Sequence, residues 1–143
     1  MSQNQTKLLV QTIFALKRVI FSHLRESNEM TAEKMLQYET LAFIDVQTKP
    51  RMKDLARFFG ITPPSITCMV KKMEQQKLLI RNHDNKDRRT VFLQITTKGK
   101  NILNETGRKL EKEMIRFMRP LNEKDKTELI KIYTKIFTHY EST

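Results

Sequence analysis

Apolar residues recur at three- and four-residue steps through most of this chain, and alternate with polar ones in one short stretch. Leu8, Leu9, Ile13, Phe14, Leu16, Ile20, Phe21 and Leu24 predict a first helix of about 20 residues, apolar over a broad face. Thr31 with Lys34 opens a second, carrying Met35, Leu36, Tyr38, Leu41, Ala42, Ile44 and Val46 and ended by Thr48-Lys49-Pro50. Met52, Leu55, Ala56 and Phe59 mark a short third helix that Gly60 closes. A fourth begins with Thr62 as N-cap and Pro63 at the first helical position, where a missing N–H costs nothing. It runs to about Gln76 with Ile66, Met69, Val70 and Met73 inward.

The period then changes. Leu78-Leu79-Ile80-Arg81 reads as a strand, Asn82 to Arg88 as a polar turn, and Thr90 to Ile95 as a second strand. Thr96 caps a long fifth helix bearing Ile102, Leu103, Leu110, Met114, Phe117 and Met118, stopped by Pro120. Asn122, with Asp125 three residues on, starts a last helix with Leu129, Ile132, Tyr133, Ile136, Phe137 and Tyr140. The predicted order is α-α-α-α-β-β-α-α: a mainly α chain holding a winged helix-turn-helix between terminal helices. A short helix, a tight turn, a capped helix and then a hairpin is the arrangement that sets one helix into a DNA groove.

Charge sharpens this. The 143 residues carry a formal net charge of +11, and residues 51–100 hold 12 Lys/Arg against 4 Asp/Glu, a net of +8. A middle third with most of the charge is an electrostatic footprint for a polyanion, which makes double-stranded DNA the leading partner. On the fourth helix the outward positions are Pro64, Ser65, Thr67, Cys68, Lys71 and Lys72. Short side chains near its start can approach base edges, and lysines further along can reach phosphates. In the turn, Lys86, Arg88 and Arg89 form a basic tip, and an arginine there can enter the narrow minor groove. Asp87 is expected to orient the wing by holding Arg89 in one rotamer.

The run Asp87-x-Arg89-x5-Ile95-Thr96 resembles the wing signature Asp-x-Arg-x5-Leu-Thr of the MarR (multiple antibiotic resistance regulator) family. Leu55-Ala56, Gly60-Ile61, Ser65-Ile66-Thr67, Val70, Met73-Glu74 and Leu78-Leu79-Ile80-Arg81 are similar to that family's helix-turn-helix. With matching helix order and length, the resemblance covers nearly the whole chain. Ile95 replaces leucine, and Lys77 stands where the family often has glycine, setting a non-glycine residue against a positive φ. The resemblance implies a homodimeric transcription regulator, most simply a repressor, on a pseudo-palindromic operator. Residues 1–30 and 101–143 would be the dimerisation helices, and residues 31–100 the DNA-binding domain. Large apolar residues on more than one face at both chain ends argue independently for a homodimer. The resemblance further implies release by a small aromatic or anionic effector, for which His23, Arg25, Tyr38 and Phe43 are candidate liners.

Other chemistry is thinly represented. His23, His83 and His139 are scattered, Cys68 is the one cysteine, and there is no Gly-rich phosphate loop or serine elbow. No metal, cofactor or enzymatic activity is expected. Cys68 is either a small groove-facing side chain or, beside Lys71 and Lys72, a thiolate whose oxidation weakens DNA binding. A single cysteine, no apolar leader at the N-terminus and no membrane-length apolar run predict a cytoplasmic protein. Two other readings fit the same composition: a non-specific architectural DNA-binding protein, and a winged-helix protein-interaction module whose basic patch meets an acidic partner.

Overall fold

Thr31 shows how the local signals become structure: its hydroxyl accepts the Lys34 N–H at 3.1 Å and starts α2 (Ala32–Val46). In a computed structural model, which describes residues 2–26 and 30–141, this helix follows α1 (Gln3–Glu26). Residues 1, 27–29, 142 and 143, within the ranges predicted for the terminal helices, lie outside the described residues. Then come α3 (Met52–Phe59), α4 (Pro63–Gln75), β1 (Leu79–His83), β2 (Val91–Ile95), α5 (Thr97–Phe117) and α6 (Glu123–Glu141). The chain divides into two units, residues 24–110 and residues 1–23 with 111–143.

The unit of residues 24–110 is built on one apolar core. Leu41 and Ile44 of α2, Leu55 and Ala56 of α3, and Ile66, Val70 and Met73 of α4 pack with Leu78, Leu79, Leu93 and Leu103. These are the inward positions that the period predicts. Gly60 ends α3 with φ 62° and ψ 34°, and the next N–H, of Ile61, reaches back to the Ala56 carbonyl at 3.2 Å. Pro63 opens α4 as expected. Thr62 stands at the N-cap, but its hydroxyl meets the Ser65 hydroxyl at 3.1 Å and not a backbone N–H. Lys77 takes the positive φ, 61°, that the turn into β1 requires, without a glycine.

The hairpin is antiparallel, with Leu79 opposite Ile95, Arg81 opposite Leu93 and His83 opposite Val91. The expected turn from Asn82 is therefore too long at its start. Asn82 and His83 belong to β1, where Asn82 faces Phe92 and donates from its side chain to the Gln94 carboxamide oxygen. A one-residue bridge from Arg51 to Phe92, with the Leu93 N–H donating to the Pro50 carbonyl at 2.8 Å, ties the approach to α3 onto this sheet.

The terminal unit is different in kind. Asn122 and Asp125 bond reciprocally, each side chain to the other's backbone N–H (2.9 and 3.2 Å), and start α6 at the expected place. Yet α6 has no buried residue, and large side chains on both terminal helices are exposed, Leu8 at 63%, Phe14 at 58% and Phe137 at 63% among them. On α1 the polar residues Lys7, Gln11, Arg18 and Ser22 make one narrow stripe, and apolar residues occupy most of the remaining circumference. An apolar cavity of about 670 Å³ opens between the end of α5 and α6, lined by Met114, Ile115, Met118, Leu129, Ile130 and Tyr133 among others.

Candidate nucleic-acid interface

The inward face of α4 fixes its outward one. With Ile66, Val70 and Met73 buried, Pro64, Cys68, Lys71 and Gln75 lie along the outermost ridge, at the spacing i, i+4, i+7, i+11. Ser65 and Lys72 flank that ridge on one side and Thr67 on the other. All six residues singled out on this helix are exposed, and Cys68 is a free thiol on the ridge itself. Gln75 was not singled out, although the same spacing points to it. The hydroxyls already have local partners: Thr67 donates to the Pro63 carbonyl at 2.9 Å, and Ser65 meets Thr62. Each keeps acceptor capacity for an amino group at a base edge.

The end of α4 is held from outside. The Thr96 hydroxyl donates to the Lys77 carbonyl at 2.7 Å, and the Thr96 N–H to the Leu78 carbonyl at 3.1 Å. The Lys98 ammonium donates to the Gln76 carbonyl at 2.9 Å, where a cation also suits the negative end of the helix dipole. Thr96 meanwhile caps α5 by accepting the Gly99 N–H at 3.0 Å. One threonine thus starts α5 and secures the segment that leaves α4. On the strand side, Arg81 lies 3.3 Å from the Glu74 carboxylate.

The wing tip is ordered by backbone contacts. Asp84 N–H donates to the Thr90 carbonyl and Thr90 N–H to the Asp87 carbonyl, both at 2.9 Å. Asp87 meets the Arg89 backbone and not, as expected, its guanidinium. Its carboxylate accepts the Arg89 backbone N–H at 3.0 Å and the Thr90 hydroxyl at 3.4 Å, the local turn that an aspartate favours two residues ahead. Asp84 does the same for the Lys86 N–H at 3.2 Å, and His83 Nδ1 lies 2.8 Å from the Arg88 carbonyl oxygen. The side chains of Lys86, Arg88 and Arg89 are left exposed and, among the described residues, without an ion pair. Lys71 is in the same state, whereas Lys72 pairs with Glu33 of α2.

Two further cations sit beside the hairpin. Lys49 Nζ lies 5.1 Å, and the Arg51 guanidinium 5.8 Å, from the centre of the Phe92 ring. Sequence spacing could not find them, because it is tertiary contacts, the Arg51–Phe92 bridge and the Leu93–Pro50 hydrogen bond among them, that bring this segment to the hairpin.

The four candidate effector residues lie at separate places. His23 Nε2 lies 3.3 Å from Glu113, beside the Phe117 ring, and Arg25 is exposed in the last turn of α1. Tyr38 packs against the core edge, and the Phe43 ring rests 4.7 Å from that of Phe58. None of the four lines the cavity in the terminal unit or the cavity of about 560 Å³ beside the hairpin. No helix among the described residues is long and apolar enough to cross a membrane.

Comparison with known proteins places this geometry. A transcriptional repressor of Bacillus subtilis, MdtR, is 26% identical over 122 residues, which cover 85% of this chain and 79% of the relative. The crystal structure of the transcriptional regulator BldR from Sulfolobus solfataricus matches with a TM-score of 0.73 at 27% identity, covering 97% of this chain and 99% of that one. A MarR family protein from Bacillus stearothermophilus superposes with a TM-score of 0.83 at 16% identity, over 99% of both chains. Residues 34–91, from α2 to the start of β2, match the model of the MarR family. From α2 to the start of β2 the chain is thus similar to the MarR family, and over most of its length it resembles transcription regulators.

Proposed function

We propose that this protein is a sequence-specific regulator that binds duplex DNA as a homodimer on a pseudo-palindromic operator, most simply as a repressor. The observation that carries the reading is the conjunction of α4 and the wing. A helix with small and polar outward groups, and with a Lys71 ammonium that has no ion pair among the described residues, stands next in the chain to a hairpin presenting Lys86, Arg88 and Arg89. Lysines would take phosphates, the Ser65–Lys72 face base edges, and Arg89 the minor groove. The repressor sense follows MdtR, which carries that name.

The dimer rests on a separate observation. Among the described residues of the terminal unit, fifteen large apolar side chains are exposed, from Leu8 to Tyr140, far more than a monomer leaves to water. We assign dimerisation to this unit and DNA binding to the other. Sedimentation at micromolar concentration is expected to return twice the 17.0 kDa mass of the chain; a monomer at that concentration would refute the assignment. Release by a small aromatic or anionic ligand follows from the family resemblance alone.

Selection of bound duplexes from a random library at about physiological salt tests the main reading. The expected result is a two-fold-symmetric motif with half-sites about one helical turn apart. Retention without enrichment would identify an architectural protein, and no retention even at low salt a protein-interaction module.

A further inference from the structure

We propose that Glu33 is an electrostatic restraint on the DNA-contacting face, occupying the Lys72 ammonium in the free protein and yielding it to a phosphate on binding. This rests on the reading of α4 as the helix that enters the groove. Glu33 Oε1 lies 2.5 Å from Lys72 Nζ, across 39 positions of sequence and from a different helix. Among the described residues, Lys72 is the one cation of Lys71, Lys72, Lys86, Arg88 and Arg89 that has an acidic partner.

Both side chains are largely exposed, at 60% and 63%, so the pair is neither dry nor rigid. An ion pair of this kind is weak, and a duplex with its dense array of phosphates outcompetes a single carboxylate for the ammonium. Glu33 itself does not leave. It sits in the first turn of α2, where the helix dipole favours a carboxylate, and α2 is fixed to the core through Leu41 and Ile44. Binding therefore gives up a favourable contact, a cost that opposes binding and is largest at low salt.

The test is a double-mutant cycle of Glu33→Gln and Lys72→Met, with affinity for a mixed-sequence duplex of about 40 base pairs measured across a salt series. Phosphate contacts do not depend on sequence, so the operator is not needed. Lys72→Met is expected to weaken binding and lower the salt slope by about one unit. Glu33→Gln is expected to tighten binding about two- to fivefold at low salt, and to lose that gain in the Lys72→Met background. Thermal melting of each variant separates these effects from loss of fold. Weaker binding by Glu33→Gln would mean that the carboxylate pre-positions Lys72, and would overturn the proposal. A gain that persists in the Lys72→Met background, or no change, would overturn it too. If Lys72→Met alone has no effect while the unaltered protein binds, the restraint fails and the reading of α4 survives. If the unaltered protein does not bind duplex DNA, both fall.

Discussion

Arg89→Ala is expected to weaken duplex binding by about ten- to thirtyfold, the size of one lost charge-assisted contact, and to lower the salt slope by about one unit. The wing presents this side chain without holding it. Asp87 fixes the Arg89 backbone through its N–H, and the guanidinium meets no carboxylate among the described residues. Docking therefore costs the arginine its rotamer freedom but no ion pair, and the full electrostatic gain in a narrow groove is realised. Arg89→Lys separates charge from shape: it should keep the salt slope and lose part of the affinity, because an ammonium lacks the planar fork. Binding assays over a salt series decide the matter. An unchanged slope in Arg89→Ala would mean that the wing tip stays outside the groove. Asp87→Asn, which keeps an acceptor for the Arg89 N–H, should be milder than Asp87→Ala.

The largest effect on stability is expected at Gly99. On helix propensity alone, glycine to alanine inside a helix gains roughly 0.5–1 kcal/mol. Here a Cβ would come within 2.0 Å of the Leu78 carbonyl oxygen and 2.9 Å of Ile95 Cγ1. The carbonyl cannot swing away freely, because it accepts the Thr96 N–H. Overpacking against backbone outweighs the propensity gain, and Gly99→Ala should destabilise by about 3 kcal/mol, lowering Tm by roughly 10 °C. Gly107 is the internal control, with its nearest neighbour in the Tyr38 ring at an ordinary 3.6 Å. Gly107→Ala should be neutral or stabilising by a few tenths of a kcal/mol. Equal melting temperatures for the two variants would refute the close approach at Gly99.

Much of this architecture was legible because its signals are local. Thr31, Gly60, Pro63, Thr96 and the Asn122–Asp125 pair each specify a helix boundary within three or four residues, and each boundary stands where expected. The outward face of α4 was legible for the same reason, since burying Ile66, Val70 and Met73 leaves no other choice. What escaped depends on distance or on backbone geometry. An acid two residues before an arginine suggests an ion pair, yet in a tight turn the nearer donor is the backbone N–H, and Asp87 takes it. Asn82 and His83 look like turn residues by type but are drawn into β1 by their partners Phe92 and Val91. The Glu33–Lys72 pair and the placing of Lys49 and Arg51 beside Phe92 join segments that no periodicity relates.

The way α4 ends bears on how this protein can change over generations. Its exit is secured by Thr96 and Lys98 through main-chain carbonyls, which are present whatever side chains the helix carries. Pro64, Cys68, Lys71 and Gln75, on the outermost ridge, contribute no side-chain hydrogen bond or ion pair among the described residues. If the ridge reads bases as proposed, anchoring and reading are divided between different atoms. Mutation could then rewrite the ridge without disturbing the seat of the helix, opening new operator preferences to descendants of this chain at little risk to its fold.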